Sequence, residues 1–252
     1  PAAAGRVPTV LPPTAHDEPP FWLSIFDTTF RMAHAFAFST VEEGELVRGR
    51  VGALRPSRIV GVGVDLDVPG EADPAVFRAA YGLGERPYLA FVGRVVAGKG
   101  AAELFDWFTT YKERRPDADL ALVFVGDPLM PLPEHPDVVV TGFVDDLMRH
   151  HALPSYFESF SMVLTEAWAH NRPALVQGRC EVLVGQARRS GGAIPYKGYA
   201  EFEAAVDLLF DDPSLADELG AAGRHYVEAN YAWEVVMDRC EGLLEGVVAR
   251  GM

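Results

Sequence analysis

From Ile59 onward, short apolar runs of β type alternate with runs whose apolar residues recur at helical spacing. No other feature constrains the architecture as tightly. The expected strands are Tyr88–Val92, Leu120–Val125, Val138–Val140, Ala174–Val176 and Ala193–Pro195, each apolar throughout and followed closely by Gly, Asp or Pro. Strands apolar on both faces are buried on both, which is the habit of parallel sheets. Between them, Leu104, Phe105, Phe108 and Tyr111 form one helical stripe, and Phe202, Ala205, Val206 and Leu209 form another. The alternation predicts an α/β fold, a Rossmann-like parallel sheet with helices on both faces. Ligands of such sheets gather at the carboxyl ends of the strands, where Gly93, Gly126 and Gly142 fall.

The residues before Ile59 differ in character. A short apolar run, Thr9–Leu11, is followed by an expected helix carrying Phe21, Trp22, Ile25 and Phe26, a strand over Ala35–Ser39, and a helix near Glu42–Arg48. That is too little to bury an independent core. The expected division is 1–57 as the end of a preceding α/β domain, 58–232 as the main ligand-binding domain, and 233–252 as a terminal helix packing back on the first part. With Pro1 in place of an initiator Met, the natural beginning of the chain is expected to lie elsewhere.

Composition narrows the function. Apolar residues make up 49% and charged residues 23% of the 252, the balance of a globular chain with a core. A net charge of −14 argues against nucleic acid or an anionic membrane as a partner, since both need basic surface. Cys180 and Cys240 are the only cysteines, which excludes a disulfide framework and a cysteine-based zinc site. No apolar run has the length of a membrane span and nothing reads as a signal peptide, so a cytoplasmic protein is expected.

Two segments carry candidate chemistry. In Gly93-Arg94-Val95-Val96-Ala97-Gly98-Lys99-Gly100, Arg94 follows a strand and Lys99 sits in a Gly-flanked turn, so both cations can converge on phosphate oxygens. An ordinary βα loop with two solvated cations has the same residues. In Pro154–Ala169, Glu158 and Glu166 lie eight residues apart, and Ser159 or Ser161 is expected to cap a helix ended by Asn171 and Pro173. Free N–H groups at that helix start suit a diphosphate, while Glu158 and Glu166 can accept from sugar and ribose hydroxyls. The plainer alternative is a dipole partner and a solvated helix residue. The joint occurrence of both segments favours a nucleotide-sugar site.

Together, Gly93-Arg94…Lys99-Gly100, Gly142-Phe143-Val144 and Pro154-Ser155…Glu158…Glu166-Ala167-Trp168-Ala169…Pro173 resemble the C-terminal domain of retaining glycosyltransferases of family 4, which have the two-domain GT-B architecture. Gly61-Val62-Gly63-Val64-Asp65 resembles the family's linker, with Gly61-Val62 where Pro-Asn is usual. The resemblance implies that Arg94 and Lys99 hold the diphosphate, with Gly93 beside it, that Glu158 contacts the donor sugar, and that Glu166 contacts the ribose. It implies backbone contacts near Ser159, Phe160, Ser161 and Met162, and places Phe143 and Val144 beside the base. His16, in His-Asp-Glu-Pro, resembles the acceptor-side loop near the reacting sugar, with Asp17 as a weaker companion. Thr40 and Glu43 read first as a helix cap.

The implied activity is transfer of a sugar from a nucleoside-diphosphate sugar, UDP-linked sooner than GDP-linked, to an unidentified acceptor. Neither a metal nor another cofactor is expected: Asp65 and Asp67 lie in a junction, and His150-His151 lacks a third ligand. A non-catalytic nucleotide-sugar-binding module and a related GT-B epimerase are the alternatives. Two departures stand out. The family's glycine-rich N-terminal loop is absent ahead of His16, and Asp145–Leu153 is too short for the usual helix and strand.

Overall fold

The computed structural model describes residues 7–52, 55–66, 74–143 and 157–249. Its first part is a small parallel sheet of β1 (Val10–Leu11), β2 (Ala35–Phe38) and β3 (Ser57–Ile59), with β2 in the centre. Val10 pairs with Ala35, and Phe36 with Ser57. The helix expected around Phe21 to Phe26 is two elements: a 3₁₀ turn over Pro19–Trp22, then α1 (Ile25–Met32). Extended backbone at Leu23 breaks them apart, ψ 131°, and Pro19-Pro20 cannot continue a helix backwards because prolines lack the amide donor. α2 (Val41–Val51) follows β2 directly, and Thr40 caps it by accepting from Glu43 N–H.

The second part begins with α3 (Pro74–Ala80) and then alternates. β4 (Tyr88–Val92), α4 (Ala101–Arg114), β5 (Ala121–Val125) and β6 (Val138–Gly142) lead to α5 (Met162–Ala169). β7 (Ala174–Gln177), α6 (Glu181–Ser190), β8 (Ala193–Tyr196) and α7 (Tyr199–Asp211) follow, and α8 (Pro213–Tyr231) and α9 (Trp233–Ala249) close the chain. All strand pairs are parallel, in the order β4-β5-β6 and, as a separate hydrogen-bonded pair, β7-β8. The two groups share a core all the same. Leu175 and Tyr196 of the β7-β8 pair pack in one cluster with Phe91, Leu122 and Phe124.

Every residue of β5 is buried, and its alternate side chains face opposite layers. Leu122 and Phe124 meet Leu104, Phe105 and Phe108 of α4, while Ala121, Val123 and Val125 meet Phe77 of α3. Helices therefore cover both faces, as uniformly apolar strands require.

Two junctions rest on close backbone approach. A Cβ on Gly126 would lie 2.1 Å from the Gly93 carbonyl oxygen, so only glycine lets the ends of β4 and β5 meet there. In the linker, Val64 N–H donates to Tyr231 O at 2.8 Å, and a Cβ on Gly63 would strike the Trp233 ring at 2.4 Å. The linker is thus clasped where α8 hands over to α9. α9 then lies against the first part: Val236, Leu243 and Val247 share a cluster with Ala35 and Val60.

Candidate functional site

The carboxyl ends of β4, β5 and β6 converge at Gly93, Gly126 and Gly142, with Gly93 N–H donating to Val125 O and Gly126 N–H to Gly142 O. From the end of β4 the chain makes a 3₁₀ turn over Ala97–Lys99, and Gly100 adopts left-handed backbone (φ 74°) to start α4. That geometry presents Lys99. Its Nζ lies 2.8 Å from Oε1 of Glu158, although 59 residues separate them. The cation of one candidate segment and the carboxylate of the other thus share one site. Arg94 is exposed and pairs with no group among the described residues, leaving its guanidinium available at the same strand end.

Glu158 leads into the segment that opens α5. Ser161 precedes the helix with φ 76° and ψ 86°, left-handed backbone unusual for a residue with a side chain. The expected serine cap is not made: neither Ser159 nor Ser161 caps α5 with its side chain, and the buried Ser161 Oγ has no partner among the described residues. A cap residue normally holds extended backbone so that its oxygen reaches the second or third amide. Left-handed Ser161 cannot do so. The N–H groups of Phe160, Ser161, Met162 and Val163 consequently have no hydrogen-bond partner among the described residues. Glu166 lies on α5, half-buried.

The far end of α5 follows expectation. Asn171 is left-handed at φ 55°, Arg172 N–H donates to Ala167 O and Asn171 N–H to Trp168 O, the paired bonds of a Schellman ending.

Around this centre stand groups from other elements. Thr40 Oγ1 donates to Ser159 O at 3.0 Å, and Gln186 Nε2 donates to Phe160 O. Glu43, almost fully buried, accepts from Ala15 N–H at 2.7 Å and Ser39 N–H at 2.6 Å. Burial pushes its carboxyl above the ordinary range, against those bonds and the nearby His16, which pull it down. His16, one residue from Ala15, has a buried Nδ1 without a partner among the described residues. Glu42 forms a two-point ion pair with Arg189 of α6, at 2.5 and 3.1 Å. Burial lowers the Arg189 pKa and the Glu42 carboxylate more than offsets it.

Other candidates lose their chemistry to local bonds. Asp17 accepts from Trp22 Nε1 and Asp65 from Trp233 Nε1, each at 2.9 Å. Burial pushes the Cys180 thiol up, away from the thiolate a nucleophile needs. Phe143 is exposed at the end of β6. Val144, Asp67, Pro154 and His150-His151 lie outside the described residues. Among the described residues no cluster of His, Cys, Asp and Glu has the makings of a metal site, and no helix is long and apolar enough to cross a membrane.

Sequence reasoning underrated Thr40 and Glu43. The Thr-x-x-Glu spacing showed the cap, whereas the second partners, the Ser159 carbonyl and the Ala15 amide, are backbone groups without a residue signature.

The profile of the family described as "Glycosyl transferases group 1" matches residues 86–212. Among curated proteins, a GDP-mannose-dependent alpha-(1-6)-phosphatidylinositol monomannoside mannosyltransferase of Mycolicibacterium smegmatis is 31% identical over 74% of this chain and 55% of its own length. A D-inositol 3-phosphate glycosyltransferase of Kribbella flavida is 28% identical over 86% of this chain and 58% of its own. The chain thus spans about half the length of the curated relatives it matches. Among solved structures, Anabaena Alr3699/HepE in complex with UDP and glucose superposes with a TM-score of 0.79 at 13% identity, covering 95% of this chain and 72% of that one. Sucrose-phosphate synthase from Thermosynechococcus elongatus gives 0.69 at 19% identity, over 89% and 62%. At these identities the likeness is one of fold.

Proposed function

The chain belongs to the group 1 glycosyl transferases, and on that premise we propose that it is the donor-binding part, with a portion of the acceptor-side domain, of a retaining, metal-independent enzyme of family 4. The proposed division keeps 1–57 on the acceptor side, 58–232 for the donor, and 233–252 bracing the two. The reaction moves a sugar from a nucleoside-diphosphate sugar to an acceptor, in a cytoplasmic setting.

One observation carries this reading: the 2.8 Å contact between Lys99 Nζ and Glu158 Oε1, beside amides at the start of α5 that have no partner among the described residues. Breaking the bond from sugar to diphosphate leaves new negative charge on the second phosphate. Arg94, Lys99 and those amides supply preorganised positive potential there, in place of a metal. In the free site, Lys99 and Glu158 satisfy one another. When donor enters, the diphosphate replaces Glu158 as the lysine's partner, and a sugar hydroxyl donates to the released carboxylate. Glu166 is assigned to the ribose diol, Phe143 and Val144 to the base, and His16 to a hydrogen bond at the reacting sugar. As positive charge builds on the sugar ring, the departing diphosphate accepts the acceptor's proton on the same face, which accounts for retention.

The UDP expectation rests on how common UDP-sugars are in such families. The relative at 31% identity is named as GDP-mannose-dependent, which moves GDP-mannose to the head of the test panel. Thermal unfolding with GDP-mannose and with UDP- and ADP-sugars is the direct experiment. A donor at 100 times its dissociation constant adds about 2.7 kcal/mol to folding. We expect one donor to give that shift and Lys99→Ala to abolish it. No shift with any nucleotide sugar overturns the reading. Where transfer is assayed, Lys99→Ala lowers kcat by roughly two to three orders of magnitude, and product analysis separates transfer from epimerisation or mere binding.

A further inference from the structure

We propose that Thr40 is a positioning residue: from the first part of the chain, it orients the Ser159–Phe160 peptide so that the amides opening α5 meet the terminal phosphate of the donor. The inference rests on the donor reading above and concerns what holds that site in shape.

Thr40 is 1% exposed, and its hydroxyl has two fixed partners. The oxygen accepts from Glu43 N–H at 3.2 Å, so its single proton is free to go to Ser159 O at 3.0 Å, 119 residues along the chain. The next carbonyl, Phe160 O, is held by Gln186, itself fully buried. Two successive carbonyls are thereby tethered by side chains from two separate elements, α2 and α6.

A trans peptide is planar, with the N–H of each unit antiparallel to its carbonyl, and none of the peptides here is cis. Tethering Ser159 O therefore turns Phe160 N–H away from α2. Tethering Phe160 O turns Ser161 N–H away from α6. Neither amide has a protein partner among the described residues, and the left-handed backbone of Ser161 follows at once. Consecutive free N–H groups around a left-handed residue form an anion-binding concavity. Beside it are the buried Ser161 Oγ, without a partner among the described residues, and the Lys99–Glu158 pair.

The same turn of α2 reaches the other way. Glu43 holds Ala15 N–H, next to His16, and Ser39 N–H, next to Thr40. One helical turn thus ties the segment carrying His16 to the amides that receive phosphate. A plain capping residue would need only the Glu43 contact.

The test is calorimetric binding of GDP, UDP, GMP and UMP to this chain as wild type, Thr40→Val, Thr40→Gly and Thr40→Ser. Val keeps the volume and removes the donor. Gly also removes the donor but is tolerated at a helix N-terminus for a few tenths of a kcal/mol, which keeps the experiment alive should Val fail to fold. Loss of the tether should weaken binding of the preferred diphosphate about tenfold, the scale of one hydrogen bond to a charged group, and leave its monophosphate within about twofold. Ser, which keeps the hydroxyl, should restore diphosphate binding to within about threefold. Equal weakening of both nucleotides, or of neither, overturns the positioning role while leaving the donor site intact. A wild-type chain that binds no diphosphate removes the donor reading and this inference with it.

Discussion

Ser161 occupies a backbone region that costs a residue with a side chain about 1–2 kcal/mol, at φ 76°. It also buries a hydroxyl without a partner among the described residues. Replacing it by glycine removes both penalties and adds about 0.5–1 kcal/mol of chain entropy to the unfolded state. We expect Ser161→Gly to raise stability by about 1 kcal/mol, read from the urea midpoint at constant slope. A loss of stability would mean that the hydroxyl finds a partner in solution. At this scale the sequence was informative where contacts are made by side chains. Lys99 and Glu158 could be picked out because each lies in a short local pattern, and they do meet. The backbone of Ser161 could not be foreseen, because serine announces an extended cap far more readily than a left-handed turn. Thr40 showed only its local half, since its second partner is a carbonyl 119 residues away.

The elements themselves were largely legible. The five strands from β4 to β8 lie within a residue or two of their expected bounds, because a buried parallel strand must be apolar throughout and these runs have nothing else to be. What periodicity does not reveal is how closely two helices approach. α5 and α8 meet through glycine: a Cβ on Gly223 would lie 2.2 Å from Trp168, and one on Gly220 would lie 2.1 Å from Asn171 O. Trp168 cannot retreat, being fully buried with its Nε1 donating to Gly192 O at 2.8 Å. Gly223→Ala therefore sets two effects against each other. Alanine in a helix interior is worth about 1 kcal/mol over glycine, but forcing a methyl into a filled contact costs about 1–3 kcal/mol and shifts backbone. Because the obstacle is a fixed indole ring, the clash wins. The variant should lose about 1 kcal/mol in chemical denaturation. Since α5 opens on amides without a partner among the described residues, the proposed nucleoside-diphosphate binding should weaken along with stability. A neutral or stabilised variant would show that α8 can draw back from α5.

For the whole molecule, the question is whether the two parts unfold separately. The first part has its own aromatic cluster of Phe21, Phe30, Phe36 and Phe38, but one face of its sheet is completed by α9. Leu243, Val236 and Val247 cover Ala35 and Val60, the Glu42–Arg189 pair ties α2 to α6, and the linker is clasped at Tyr231 and Trp233. Packing of 233–252 on the first part is what the sequence leads one to expect, but the ordinary amphipathic pattern of α9 says only that one face is buried and not which residues it covers. A sheet that borrows part of its core from the far end of the chain cannot survive the loss of that helix, so the two parts should behave as one cooperative unit. Leu243→Ala makes the test sharp, because it deletes buried volume between them at a cost of about 3 kcal/mol. The expected result is a single transition moved as a whole. Hydrogen exchange should show peptides over 35–38 and 121–125 opening together in the wild type and together, sooner, in the variant. Earlier opening of 35–38 alone would mean that α9 braces a part able to detach, and that the tie between Thr40 and Ser159 breaks whenever it does.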